Sequence, residues 1–451
     1  MSEALTVIIQ SFAVFSLLLL IGCFLRAKLR LFQNLYLPAC VIGGFIGLIL
    51  GPNVLGIIPF SQNVMDVASA LPGVLIVPVL AAVPMCMKSS GISLKSQKDV
   101  LVITFIITGV SFLQFVLGLA VNLGYTALGG ESYSTLGLEL PMGFTGGHGM
   151  AGTLGNSLQT MGSPYWEVAQ GMASTSATVG LIGGIIIGVA LLNMAAKKGY
   201  TKVVKSAAEI SKEYRVGYFS RNQERPELGV QTTIPNSIET VSLHFALLLV
   251  ASGGGYIINS QVSKLNIEIL TAMSTWFYAM IVMAVLWGCI CALKIDFLFE
   301  DDVKNKITGF LSDYLIVAAI MSIPVKMVMT YWVPLLCMFV LGLIVTPLTV
   351  YFISKKYMSD CWFEKMMGPL GCLHGVYVTG MLLTKMADPD LKTPALKDYS
   401  LGYTLSSFVC IPVFAFLIAF TYTSGTMMGF LASAAVTVAS FLAMAVLCRR
   451  K

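Results

Sequence analysis

Long apolar stretches without a charged residue alternate along this chain with short polar segments. A helix that crosses a bilayer needs about 20 consecutive apolar residues. Uncharged stretches of at least this length include 32–65, 100–130, 168–194, 269–293, 327–354 and 399–448, and the last is long enough for two crossings. With the shorter apolar segments between them they predict eleven spans: 4–25, 38–58, 66–87, 100–128, 165–193, 238–259, 267–293, 307–330, 332–354, 399–421 and 425–448.

One short motif occurs twice, half a chain apart. The first copy, 142–153, contains Thr145-Gly-Gly-His148-Gly149, and the second, 367–379, contains Gly371-Cys-Leu-His374-Gly375. The two histidines lie 226 positions apart, and each begins the pattern His-Gly-x-x-x-Thr. A duplicated, glycine-broken segment in a membrane protein is typical of transporters built from internal repeats. We therefore predict re-entrant hairpins at 134–162 and 361–390.

The basic residues fit this layout. If each hairpin enters and leaves on the same side of the membrane, nearly all 28 lysines and arginines fall on one side, and the other side holds essentially Lys264, with Lys326 near an outer helix end. The positive-inside rule makes the basic side cytoplasmic. This predicts an outside N-terminus, a cytoplasmic C-terminus and a cytoplasmic loop at 195–236.

These assignments predict an all-α polytopic membrane protein. It has two inverted-topology repeats of five transmembrane helices plus a re-entrant hairpin, with an extra C-terminal helix. The predicted units are a first repeat at 1–194, a linker at 195–236, a second repeat at 237–422, and a final span with a basic tail at 423–451. The high apolar content, 57%, and the low charged content, 11%, exclude a soluble domain.

The broken hairpins suit an anionic solute and a small cation. N–H groups at the start of a half-helix favour a carboxylate, and glycines with positive φ let a ligand approach the backbone. Carbonyls at the end of a half-helix, together with nearby hydroxyls, suit Na⁺. The predicted substrate-binding residues are Thr145, Gly146, Gly147, His148, Gly149, Thr153, Gly371, His374, Gly375 and Thr379.

Other polar residues near the hairpins are candidates for the sodium site. They are Thr145, Asn156, Ser174, Thr175, Ser406 and Ser407. Serine and threonine also bond to the backbone of their own helix, which is the alternative for each of them.

The ionisable residues allow two interpretations. His148 and His374 could donate to an anionic substrate or relay a proton, or they could tie the hairpin backbone together by hydrogen bonds.

His244 stands alone on an apolar helix and is interpreted as a packing residue. Asp66, Glu139, Glu167 and Asp313 fall close to helix ends, where charges are ordinary, and Asp66 and Asp313 are the better candidates for a role.

Several classes of protein are not supported by the sequence. It contains no H-E-x-x-H or G-x-S-x-G motif and no carboxylate cluster near the motif histidines, so we predict no enzyme activity and no cofactor. The net charge of +6 reflects loop lysines and arginines and does not suggest nucleic acid. A sodium-coupled carrier of di- or tricarboxylates such as 2-hydroxy acids, and a channel-like or signalling membrane protein, remain alternatives to an amino-acid carrier.

The motif resembles that of a known family. Thr145-Gly-Gly-His-Gly is similar to the Ser-Gly-Gly-His-Gly-Thr-Gly of the first hairpin in the bacterial sodium/glutamate symporter family, and Pro38-Ala-Cys-Val-Ile-Gly43-Gly44 resembles its Pro-Glu-Pro-Val-Ala-Gly-Gly. Met150 stands where the family has Thr, and Ala39 where it has Glu. The second hairpin differs from the family's Gly-Phe-Gly-Leu-Gly-Ala-Thr-Pro run.

The resemblance implies how the protein acts. It implies sodium-coupled symport of glutamate across the bacterial cytoplasmic (inner) membrane, with no cofactor beyond Na⁺ as coupling ion. It also implies a homodimer and an elevator-type motion of a hairpin-bearing core against a scaffold.

Overall fold

The computed structural model describes residues 2–35, 37–86, 98–202, 218, 229–265, 270, 274–358, 360–388 and 392–448. Every regular element in these ranges is helical. The α-helices are α1 Ser2–Lys28, α2 Arg30–Asn34, α3 Ala39–Leu50, α4 Gln62–Ala81, α5 Lys98–Ala127, α6 Glu139–Phe144, α7 Gly147–Thr160, α8 Trp166–Lys197, α9 Thr240–Val262, α10 Thr275–Ala292, α11 Asp301–Met321, α12 Val325–Thr330, α13 Trp332–Tyr357, α14 Trp362–Cys372, α15 Tyr377–Ala387, α16 Ala395–Ser424 and α17 Thr426–Leu447. Single 3₁₀ turns cover Ser263–Leu265 and Asp296–Leu298.

The helices confirm a polytopic membrane protein. In the described part of the chain, nine helices are long and apolar enough to cross a bilayer: α1, α4, α5, α8, α9, α10, α13, α16 and α17. The other two predicted spans differ from expectation. Helix α3 has only 12 residues, because the chain turns after Gly51-Pro52. Helix α11 begins earlier than predicted and ends at Met321, because Pro324 cannot continue its hydrogen-bond ladder.

Both predicted hairpins are pairs of helices separated by a short break. The first consists of α6 and α7, and the second of α14 and α15. The last residues predicted for the second hairpin, 389 and 390, lie outside the described residues, as do Lys88, Lys95, most of the 195–236 loop and the basic tail. The division into repeats and their inversion in the membrane stay predictions.

The helices pack as two groups. Helices α1, α3, α4, α9, α10 and α11 pack mainly on one another and are called here the scaffold group. The hairpins, with α5, α8, α13, α16 and α17, form the hairpin group. The principal contacts between the groups are made by α4 and α11 against α7 and α8. This separation is what relative movement of two bodies requires.

Helix pairs that correspond under the predicted duplication also pack alike. Helix α1 packs on α3 as α9 packs on α10, and α3 packs on α11 as α10 packs on α4. Glycines permit the closest of these contacts: a β-carbon at Gly43 would lie 2.4 Å from the carbonyl oxygen of Leu18. The glycines of the second predicted span therefore serve close helix packing.

Candidate functional site

The first hairpin breaks at Thr145 and Gly146, between α6 and α7. Gly147 begins α7 with φ +63°, a left-handed conformation that glycine adopts without strain. Among the motif glycines only Gly147 has positive φ, so the predicted conformational freedom was needed at one position. Gly149 has an ordinary φ, and a β-carbon there would make only an ordinary contact, 3.6 Å from Ile76.

The second hairpin breaks between Cys372 and Tyr377. Gly371 lets the two legs approach, since a β-carbon there would lie 2.7 Å from Cα of Gly380 on α15. A β-carbon at Gly375 would lie 2.6 Å from Oγ1 of Thr379. The backbone N–H of Val376 points to the same Oγ1 at 3.5 Å. Gly371 and Gly375 therefore shape the hairpin itself.

The two breaks meet. A β-carbon on Gly147 would lie 2.5 Å from Cγ1 of Val376 and 3.6 Å from the carbonyl oxygen of Gly375. Helices α7 and α15 both begin at this point. The first-turn N–H groups of a helix have no partner within it and carry partial positive charge. The structure thus brings two such helix starts together.

A buried glutamine joins the two breaks. Oε1 of Gln114 on α5 accepts a hydrogen bond from Oγ1 of Thr145 at 2.7 Å. Its Nε2 donates to the carbonyl oxygen of Leu373 at 2.8 Å and to Oγ1 of Thr346 on α13 at 3.1 Å. Gln114 is fully buried. Sequence reasoning missed it, although an amide in the middle of an apolar helix was a visible signal.

His148 is tied to the neighbouring helix. Its Nε2 lies 3.0 Å from Oγ1 of Thr178 on α8, and the residue is 4% exposed. Thr178 also donates to the carbonyl oxygen of Ser174 at 3.1 Å. This geometry favours the structural interpretation of His148 over direct contact with a solute.

His374 is buried between the second hairpin and α8. Its Nδ1 lies 2.8 Å from the carbonyl oxygen of Leu370, one turn back on α14. A β-carbon on Gly184 would lie 2.4 Å from Cβ of His374, so glycine is what lets this helix approach. Nε2 of His374 is buried without a hydrogen-bond partner in the described structure. His374 therefore has one free nitrogen, and His148 has a partner on another helix.

Apart from Thr145, which bonds to Gln114, the predicted sodium ligands fall into two sets. Thr175, Ser406 and Ser407 donate to carbonyl oxygens of their own helices, at 2.8–2.9 Å. By contrast, Oδ1 of Asn156 and Oγ of Ser174 are buried without a partner within the described residues. Buried polar atoms are nearly always hydrogen-bonded, so these two oxygens are the better cation candidates.

Thr153 faces its own helix. It is fully buried, and its Oγ1 donates to the carbonyl oxygen of Gly149 at 3.3 Å. Gly146 also lies against α7, since a β-carbon there would come within 2.1 Å of Cβ of Met150. These two predicted site residues support the first hairpin from within.

His244 is a satisfied packing residue, as interpreted from the sequence. It is fully buried, with Nδ1 2.7 Å from the carbonyl oxygen of Thr240. Its Nε2 accepts from the N–H of Glu300 at 2.7 Å.

Glu139 is not an ordinary helix-end charge, and that interpretation was wrong. It is fully buried, and its carboxylate accepts from Oη of Tyr133 and from the N–H of Gly137, both at 2.6 Å. Glu364, in the first turn of α14, is also fully buried and accepts from the N–H of Lys202 at 2.5 Å. Glu139 thus holds the loop that leads into α6, and Glu364 holds the segment that follows α8.

A buried ion cluster anchors the second hairpin. Nζ of Lys365 lies 2.6 Å from a carboxylate oxygen of Asp99 on α5 and 2.8 Å from one of Asp398 on α16. Lys365 is 5% exposed and Asp99 9%. Sequence reasoning treated Lys365 only as one of the cytoplasmic basic residues. Its location among three separate segments was not visible in the local pattern.

The family of the chain follows from comparison with known proteins. Among the described residues, no group of three or more His, Cys, Asp or Glu side chains could hold a metal ion. No curated protein matches the chain. A family model described as "Sodium/glutamate symporter" matches residues 5–362, which includes the first hairpin and ends where α14 begins. The chain is therefore a membrane protein of the sodium/glutamate symporter family, a transporter family and not a class of enzymes.

Proposed function

We propose that this protein is a symporter that uses a sodium gradient to import glutamate, or a similar small carboxylate solute, by alternating access. The observation that carries the proposal is the meeting of the two hairpin breaks at Gly147 and Val376. Family membership supports Na⁺ and glutamate as the transported species. We place the protein in a bacterial cytoplasmic membrane, as a homodimer with the topology predicted above.

The solute's carboxylate would bind at the starts of α7 and α15. Their first-turn N–H groups converge beside Gly147, and no lysine or arginine is needed to neutralise the anion. Backbone amides recognise a carboxylate without reading what is attached to it. The remainder of the solute must therefore be selected by side chains around the breaks.

Sodium would satisfy oxygens that lack partners. Oδ1 of Asn156 and Oγ of Ser174 are both buried, on helices that pack against each other. Thr145 is the third candidate, although its hydroxyl hydrogen already points at Gln114. A cation bound among the hairpin helices would offset part of the charge of the incoming carboxylate. This is a physical reason for the two to bind together.

Movement of the hairpin group against the scaffold group would provide alternating access. The contact between them is lined by small residues: a β-carbon at Gly152 on α7 would lie 2.9 Å from Cβ of Pro72 on α4. One hydrogen bond that crosses it is the bond from Oγ of Ser274 to Oγ of Ser157. Few directional bonds must break when such a surface slides.

Uptake into proteoliposomes tests the proposal. Labelled glutamate, other amino acids, and di- and tricarboxylates would be offered with and without an inward sodium gradient. The proposal predicts accumulation of glutamate or another small carboxylate solute only with the gradient. Equal accumulation without sodium would overturn sodium coupling, and gradient-independent flux far above carrier turnover would indicate a channel.

A further inference from the structure

Helix α4 of the scaffold group is in contact with the first hairpin. A β-carbon at Gly73 would lie 3.2 Å from Cβ of Asn156 on α7, and Pro72 lies against Gly152 one turn earlier. This half of α4 has no large side chain at the contact. It is a surface shaped to receive a hairpin leg.

Helix α11 is the counterpart of α4 in the second half of the chain. Leu75-Ile76-Val77 precedes Pro84 by the same distance as Leu315-Ile316-Val317 precedes Pro324, and the two patterns lie 240 positions apart. Both helices also occupy corresponding places in the scaffold group, each packing on the other. Ser69, Pro72 and Gly73 of α4 therefore correspond to Gly309, Ser312 and Asp313 of α11.

Neighbouring helices cover these three positions of α11 less than they cover the corresponding positions of α4. A β-carbon on Gly309 would meet no described atom within 4 Å. Asp313 is exposed and Ser312 is half-buried. The Asp313 carboxylate has one partner among the described residues, the thiol of Cys40 on α3, and the rest of its side chain is exposed. In the described structure this face of α11 is therefore open apart from that contact.

The matching leg of the second hairpin is also uncovered. The 226-position spacing of the two motifs makes Val378 on α15 the counterpart of Gly152, and Leu382 that of Asn156. Val378 is 59% exposed and Val376 37%. In the described structure, the first hairpin is thus covered by the scaffold group while the second presents an apolar leg.

We propose that the face of α11 formed by Gly309, Ser312 and Asp313 is a docking surface for α15 in the opposite conformation of the transport cycle. This inference rests on the proposed alternating access. The described structure would then be the cytosol-facing state, in which the first hairpin is covered by the scaffold group. In the opposite conformation, Ser312 would contact Val378 in the way that Pro72 contacts Gly152 in the described structure.

Two cysteine pairs in the full-length protein test this surface. In a variant without the ten native cysteines, Ser157→Cys with Ser274→Cys reports the described state, because these two hydroxyls are hydrogen-bonded between α7 and the start of α10. Ser312→Cys with Val378→Cys reports the opposite state. Disulfide formation needs β-carbons about 3.5–4.5 Å apart. Ser312→Cys with Leu442→Cys is the matched control, because Leu442 is 61% exposed on α17, away from the scaffold group.

We expect both reporter pairs to cross-link in proteoliposomes, each stopping sodium-driven uptake, and the control pair not to cross-link. Uptake measured before oxidation tests the proposed function separately. If the uncross-linked variants transport but Ser312→Cys and Val378→Cys do not react, the docking surface is wrong and the symporter assignment stands. If uptake is independent of sodium while the pair still reacts, the proposed function fails and the docking surface stands.

Asp313 supplies a second readout that does not depend on the cross-linking geometry. Docking would remove its carboxylate from water, which disfavours the docked state. Asp313→Asn should therefore raise the cross-linking rate of the Ser312–Val378 pair several-fold and lower that of the Ser157–Ser274 pair. An unchanged ratio of the two rates would contradict docking at this face.

Discussion

Gly147 and Val376, from hairpins half a chain apart, touch across the centre of the hairpin group. A β-carbon on Gly147 would come within 2.5 Å of Cγ1 of Val376, and φ of Gly147 is +63°. Only glycine meets both conditions without strain. The contact brings the starts of α7 and α15 together.

We expect Gly147→Ala to reduce sodium-driven uptake strongly. The left-handed backbone costs a non-glycine residue about 1–2 kcal/mol, and the new methyl group would also collide with Val376. Val376→Ala removes the colliding atom but not the backbone strain, so the double variant should recover part of the uptake. Uptake rates normalised to inserted protein measure this. Full uptake by the Gly147→Ala variant would show that transport does not require close contact between the two hairpin breaks.

Gln114→Leu should uncouple the two hairpin breaks. The change leaves the Thr145 hydroxyl and the Leu373 carbonyl without their partner, at a cost of about 1–3 kcal/mol for each buried group. We expect uptake to fall by at least about tenfold, the equivalent of 1.4 kcal/mol. Gln159→Leu, an exposed glutamine at the end of α7, is the matched control and should transport normally.

Gln114→Glu refines this test. A carboxylate can still accept from Thr145 but cannot donate to Leu373 or Thr346. The glutamate variant should therefore resemble the leucine variant. If both Gln114 variants take up solute at the wild-type rate, Gln114 is not needed to join the two hairpin breaks.

His148→Ala should lower stability more than it changes solute affinity. The histidine bonds to Thr178, and loss of a buried hydrogen bond costs about 1 kcal/mol, with a further cost for the cavity. Thr178→Val should shift the unfolding temperature in the same direction, and the double variant should lose less than the sum. A raised KM with an unchanged unfolding temperature would instead make His148 a solute ligand.

Lys365→Met should abolish most of the folded protein. It leaves the carboxylates of Asp99 and Asp398 without their shared cation, and breaking a buried ion pair costs about 3–5 kcal/mol. Neutralising all three residues, as Asp99→Asn, Lys365→Met and Asp398→Asn, should restore part of the yield. Monodisperse protein recovered in detergent is the measurement. If the single and triple variants are equally poor, charge pairing is not what Lys365 contributes.

The apolar pattern predicted most of the fold, because bilayer thickness fixes the length of an apolar helix. The repeated His-Gly-x-x-x-Thr pattern located both hairpins, because a duplicated segment carries the same helix break in each copy. The ends of α3 and α11 were less predictable: Gly51-Pro52 and Pro324 stop helices that hydropathy alone would continue.

The site was predicted less completely than the fold. Glycines at the breaks were expected, but which of them needs positive φ depends on the approach of the other hairpin, and sequence spacing does not contain that distance. Gln114 and Lys365 act through partners more than 200 positions away. Their roles required the packing of α5 against the second hairpin to be known.

The accessibility of position 376 tests the central claim most directly. Val376→Cys would be introduced into the variant without native cysteines and modified with a thiol reagent in proteoliposomes, with Met427→Cys on α17, 54% exposed, as control. If the solute binds between the hairpin breaks, glutamate and Na⁺ together should slow modification at position 376, either alone should protect less, and position 427 should be unaffected. Equal rates at position 376 with and without solute and sodium, in protein that still transports, would contradict this location of the site.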